Sequence, residues 1–243
     1  MARPRDYDTD PGRFRLAQRV GRQYLTGGPS LHEHIWAVLG AGADAGAGAG
    51  NATGTGPPLL VADMGAGDGA LTAARPEGHP ARVLGLDASA QMLRAHPGPA
   101  VRADASRLPF ADGRLDAVVA VNMLYHLDDP LAAIAEARRV LVPGGMFLAA
   151  TVSRHDSPEL SHVWRPAPST FDAEDGPGLV ARVFGTAETE RWDAPLMRLP
   201  DAGAVRDYLM ARFVPEAEAA RAAGQVRVPV TLTKRGALIR ARA

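Results

Sequence analysis

Val61-Ala62-Asp63-Met64-Gly65-Ala66-Gly67-Asp68-Gly69-Ala70 decides the fold. A short apolar run ends at an acid and passes into glycines spaced by two. Helix-forming residues follow at once. Such a strand-turn-helix junction brings backbone close to a ligand, with N–H groups facing outward and no side chains in the way, so it reads as a nucleotide-type binding loop. By itself the loop leaves two cofactor classes open. Gly65, Gly67 and Ala70 also satisfy the G-x-G-x-x-A form of the dinucleotide fingerprint, and Asp87 lies near the distance at which an acid holds a ribose.

Outward from the loop, strand and helix signals alternate at short intervals, the pattern of a mostly parallel sheet covered by helices on both faces. Strands are expected at Leu59 to Ala62, Arg82 to Leu86, Val101 to Ala103, Leu115 to Val121 and Met146 to Val152. Asp63, Asp87 and Asp104 follow the first three, and Asn122 the fourth. Pro143-Gly144-Gly145 stops a helix that begins at Pro130. Beyond Ser153 come a proline-rich stretch, helices near Gly178 to Phe184 and Ala202 to Phe213, and a strand from Glu188 to Ala194. The tail from Val226 to Arg242 reads as two strands parted at Lys234-Arg235-Gly236.

The 243 residues suit one generous core. Residues 1–40 read as two short helices forming a lid, with Ser30 and Glu33 as a capping box. Residues 41–57, almost only Ala, Gly, Thr, Asn and Asp, read as a flexible linker, and 58–243 as the main domain. Lys+Arg 27 balance Asp+Glu 27, which removes the electrostatic footprint of nucleic-acid or membrane binding. With Cys 0 there is no thiol nucleophile, disulfide or cysteine-ligated metal. His32 and His34 point to different sides of a helix, so no metal is expected. The polar start, Met1 to Asp10, and the lack of a long apolar run point to a cytoplasmic protein, monomer or homodimer.

The acids at the strand ends separate the two cofactor classes. Asp63-Met64-Gly65-Ala66-Gly67-Asp68-Gly69 resembles the first motif, D-x-G-x-G-x-G, of class I S-adenosylmethionine-dependent methyltransferases. Gly85-Leu86-Asp87-Ala88-Ser89 and Arg102-Ala103-Asp104-Ala105 are similar to the next two motifs. Leu108-Pro109-Phe110-Ala111-Asp112, Leu115-Asp116-Ala117-Val118, Leu124-Tyr125-His126-Leu127-Asp128-Asp129-Pro130 and Leu141-Val142-Pro143-Gly144-Gly145 continue the series in order and resemble the ubiquinone-biosynthesis-like branch. The resemblance implies a doubly wound, Rossmann-like α/β fold with a seven-stranded sheet, mostly parallel with its last strand antiparallel. It also implies methyl transfer to a small-molecule acceptor, which we expect to belong to specialised metabolism.

This ligand has no phosphate, and the loop has no lysine to meet one. Asp63 suits the ligand's ammonium, and Asp87, with Ala88 beside it, can accept from both ribose hydroxyls; its bland alternative is a helix N-cap. The resemblance gives Asp104 to the adenine amino group and the Ala105 N–H to a ring nitrogen; the bland alternative for Asp104 is a plain turn aspartate. Asn122 lies beside the expected sulfonium, or else caps a turn. His126 and, second, His155 are the candidate general bases; ordering a loop or sitting in solvent are the respective alternatives. Tyr7, Tyr24 and Trp36 belong either to the lid or to the core, and Trp164, with the prolines around it, either shapes the acceptor pocket or packs under the insertion. The competing functions are an NAD(P)-dependent oxidoreductase, disfavoured because the only lysine, Lys234, sits in an expected turn, and a methyltransferase-like protein that does not methylate.

Overall fold

The C-terminal ends of two neighbouring strands, β1 (Leu60–Met64) and β4 (Leu115–Val121), open a crevice because the chain winds in opposite directions from them. From β1 it proceeds through β2 (Arg82–Asp87) to β3 (Ala100–Arg102) at one edge. From β4 it proceeds through β5 (Leu141–Val152) toward the other edge, where β7 (Val230–Arg242) lies between β5 and β6 (Glu188–Leu199). The sheet order is β3-β2-β1-β4-β5-β7-β6, and β7 alone runs antiparallel to its neighbours. In open sheets of this kind the switch point between strands like β1 and β4 is where ligands bind.

The computed structural model describes residues 11–27, 30–46 and 58–243. Tyr7, the reading of Met1 to Asp10 and the greater part of the expected linker, 47–57, lie outside the described residues.

Helices cover both faces as the alternation predicts. Ala133, Ile134, Ala137 and Val140 of α5 (Pro130–Val140) and Val180 of α6 (Gly176–Phe184) pack with Phe147 and Ile239 on one face. On the other, Ile35, Trp36 and Leu39 of α2 (Leu31–Gly46) pack with Leu71 of the short α3 (Ala70–Ala73), Val119 and Leu148. Strand β4 is buried on both sides from Ala117 to Ala120, which is why its sequence past Asp116 is apolar throughout. A third cluster joins α1 (Pro11–Tyr24), α7 (Ala202–Met210) and α8 (Glu216–Ala223) to the ends of β6 and β7 through Val20, Tyr208, Ala219 and Leu232. Another short helix, α4 (Ala90–Leu93), follows β2.

Several expectations change. The capping box forms, with Glu33 N–H donating to Ser30 Oγ at 3.2 Å and Ser30 N–H to Glu33 Oε2 at 2.6 Å, but α2 runs on to Gly46 through residues assigned to the linker. Trp36 is core, its indole N–H donating to the Leu71 carbonyl at 2.9 Å, and Tyr24 packs against the third cluster. The tail is one continuous strand beginning at Val230. Gly236 marks a close approach, since a Cβ there would lie 2.1 Å from the Trp192 ring on β6. Helix α8 carries no large apolar residue and gave no periodic signal.

Candidate active site

The loop after β1 is shaped by close approach. Gly65 has φ +75°, and a Cβ on it would sit 2.5 Å from that of Met123, the residue after Asn122 at the end of β4. Gly67, φ +58°, brings its N–H to Asp87 Oδ2 at 2.9 Å. The N–H groups of Gly65 and Ala66 both donate to the Leu86 carbonyl, at 2.7 and 3.0 Å, and Gly69 donates to Ala66 at 2.9 Å. This corrects the expectation that the loop's amides face outward. The N–H groups of Gly65, Ala66, Gly67 and Gly69 are spent inside the protein, and the glycines serve to let backbone pass close to β2 and β4.

The charge around the loop points the same way. Asp63 is 2% exposed, lines the crevice, and accepts no side-chain hydrogen bond from the described residues. Burial, with the nearby Asp87 carboxylate adding to it, pushes its pKa up to about 7. An unpartnered buried carboxylate is costly and is relieved by a cationic ligand. Asp87 is oriented by two backbone donors, Gly67 on Oδ2 and Ser89 on Oδ1 at 2.8 Å, and keeps lone pairs toward the crevice. The cap of α4 is Ser89, which accepts from Met92 at 3.2 Å, so the N-cap reading of Asp87 falls away.

Asp104 accepts from the Ser106 N–H and hydroxyl at 2.9 and 2.8 Å, and with Ala88 and Ala105 it lines the crevice beyond β2 and β3. Asn122 stands at φ +51°, its N–H on the Ala150 carbonyl at 2.9 Å, and lines the crevice where β4 ends. A left-handed backbone at a non-glycine residue marks a constrained position. His126 lies on a 3-10 turn, Leu124–His126, its ring 4.4 Å from that of Tyr125, and both rings line the crevice. From α1, Phe14 comes within 3.4 Å of a Cβ position on Gly67, and Gln18 donates to Asp68 at 3.0 Å. The whole crevice holds about 2380 Å³.

His155 does not join them. It is exposed in the turn after β5, where its N–H donates to Ser153 Oγ at 2.9 Å, and it is absent from the crevice wall. The turn sends the next residue, Asp156, inward instead. His34 pairs with Glu190 at 3.0 Å, and among the described residues no three His, Cys, Asp or Glu gather as metal ligands.

A buried polar group went unread. Lys234, expected in a turn, lies within β7 with its ammonium ion-paired to Asp156, 2.9 Å from the Tyr208 hydroxyl and 3.1 Å from Ser157 Oγ. The tyrosine-lysine pair that an oxidoreductase needs is therefore present, and its supposed absence no longer discriminates. Tyr208, however, is 0% exposed, and desolvation pushes its hydroxyl pKa up. Such a phenol exchanges no proton with a molecule in the crevice.

Residues 62–149 match the family described as "Methyltransferase domain". The chain is 32% identical over 154 residues to the ubiquinone/menaquinone biosynthesis C-methyltransferase UbiE of Cupriavidus metallidurans, covering 58% of this chain and 60% of that one. It thus spans less than two thirds of that relative's length. Among solved structures, the YcgJ protein of Bacillus subtilis superposes with a TM-score of 0.61 at 15% identity, over 87% of this chain and 98% of that one. The [4+2]-cyclase SpnF superposes with a TM-score of 0.59 at 17% identity, over 97% and 94%. At these identities the structural likeness speaks for the fold. The strand order and the acids at the strand ends agree with that match, so residues 62–149 of this chain resemble a methyltransferase domain in sequence and in fold.

Proposed function

We propose that the protein is an S-adenosylmethionine-dependent methyltransferase acting on a small-molecule acceptor of specialised metabolism. One observation carries the reading: the glycine loop spends its Gly65, Ala66 and Gly67 amides on β2 and has an unpartnered buried carboxylate, Asp63, at its floor. A pyrophosphate would meet few free N–H groups there and a negative field. An amino-acid ammonium meets a partner.

The residues present fit the cofactor. Asp63 takes the ammonium, Asp87 the ribose hydroxyls with Ala88 beside it, and Asp104 with the Ala105 N–H the adenine, along one continuous crevice. Gly65 and Gly67 let the loop pack against Met123 and Phe14, which holds its backbone at the floor of the crevice. The cofactor supplies a methyl group already activated by positively charged sulfur. The protein then has to hold a nucleophile in line with that methyl and exclude water. Asn122 fixes the end of β4 beside that point, and Phe14 and Gln18 of α1 cover the loop as a lid. His126 takes the proton from an acceptor hydroxyl, a contribution of about 10² to 10⁴ in rate.

The mutant Asp87→Ala should weaken S-adenosylhomocysteine binding by about 1 to 3 kcal/mol in calorimetric titration. Unchanged affinity would remove Asp87 from the site. His126→Ala should lower turnover with cofactor binding intact, and equal loss of both would make it a structural residue. The cyclase SpnF favours one second reading, a protein of this fold that keeps the crevice without methylating. Cofactor binding with no methylated product from any acceptor would favour it.

A further inference from the structure

Tyr208 on α7 and Arg212 in the turn after it lie four residues apart, and the buried polar group fixes the first so that it can orient the second. The Tyr208 hydroxyl is held by Ser157 and by Lys234, itself paired with Asp156, which locks the ring. The Arg212 guanidinium lies over that ring, its Cζ 3.4 Å from the centroid, and one N–H donates to the Tyr208 carbonyl at 3.1 Å. The Trp164 ring stands 6.0 Å from the same guanidinium and meets Tyr208 edge-on at 6.2 Å. Arg212 is half-buried and lines the crevice that also holds Asn122 and His126. Among the described residues it has no carboxylate partner, whereas Arg206, on α7 itself, is paired with Asp207 at 2.8 Å. Glu218 also lines the crevice, beyond ion-pair distance from Arg212.

We propose that Arg212 selects the acceptor, and that the acceptor is an aromatic carboxylic acid whose carboxylate docks on the guanidinium; this rests on the methyltransferase reading above. Stacking on an aromatic ring leaves a guanidinium's N–H edge free for two parallel hydrogen bonds to a planar carboxylate. Lys234 adds positive field at the same wall, but Asp156, Ser157 and Tyr208 take its three protons. One free fork suits a monoanion better than a phosphate. Around it Trp164, Phe213 and Val214 offer aromatic and aliphatic surface to the rest of such a molecule.

The test is calorimetric titration of the protein saturated with S-adenosylhomocysteine. The probes are benzoate, salicylate, 3-phenylpropionate and indole-3-acetate, each against its carboxamide. At least one carboxylate should bind about tenfold or more tightly than its amide. In Arg212→Gln that preference should vanish while S-adenosylhomocysteine affinity stays within about twofold, which also reports that the variant is folded. The proposal is overturned if no carboxylate is preferred, or if the preference survives in Arg212→Gln. It is equally overturned if the variant loses S-adenosylhomocysteine affinity, since Arg212 would then belong to the cofactor's own carboxylate. Failure of S-adenosylhomocysteine to bind the unmutated protein would count against the methyltransferase reading instead, and the same carboxylate-amide comparison without it would still test Arg212.

Discussion

Asp63 carries a pH dependence that follows from its position. Its folded pKa of about 7 stands above the ordinary 3.8 because burial and Asp87 both disfavour the charge. A raised carboxylate favours the folded protein at low pH, and this contribution is lost as pH rises from the unfolded value through about 7. Binding of an ammonium has the opposite preference, because it needs the ionised form. Affinity for S-adenosylhomocysteine should therefore rise about tenfold between pH 6 and pH 8, the change in ionised fraction for a group of that pKa. Asp63→Asn should bind weakly with a flat profile; a flat profile in the unmutated protein would contradict the ammonium contact. Asp63, Asp87, Asp104, Asn122 and His126 were legible in the sequence because each stands within a few residues of a strand end, so local order alone brings them to the crevice. Arg212, Tyr208, Asp156 and Lys234 were not. They meet through packing of α7 against β7 and the turn after β5, and no local pattern announces that meeting.

Among the elements, α7 matters most to the acceptor wall, since Tyr208 lies on it and Arg212 follows it. Its N-terminus is closed by Asp201, whose Oδ1 accepts from the Ala204 N–H at 2.8 Å. Asp201→Ala should cost about 1 kcal/mol in urea unfolding, while Asp201→Asn, an equivalent cap, should be near neutral. Equal losses in both would assign the effect to charge rather than capping. Elements with a strong apolar signal were readable: β4 from its Ala117 to Val121 run, and α5 from its start at Pro130, although that helix ends at Val140 and Pro143-Gly144-Gly145, read as its stop, lies within β5. The misreadings have common physical causes. Gly236 permits the Trp192 ring to lie on β7, a contact indistinguishable in sequence from a turn glycine. Alanine serves helix and linker alike, so both the extension of α2 and the whole of α8 were missed.

At the scale of the whole molecule, reversal of winding between β1 and β4 creates the crevice, and helices on both faces leave its mouth to α1, the 3-10 turn with His126 and the segment around Trp164. Among the described residues no helix is long and apolar enough to cross a membrane. The seven-stranded, mostly parallel sheet was expected from the family resemblance, whereas its strand order, and where the amides and carboxylates of the crevice point, required the structure. The central claim is therefore best tested by isothermal titration with S-adenosylhomocysteine, run in parallel with NAD(H) and NADP(H). Saturable micromolar binding of S-adenosylhomocysteine alone is the predicted result. Binding of a nicotinamide cofactor in its place, or of none of these ligands, would contradict the account.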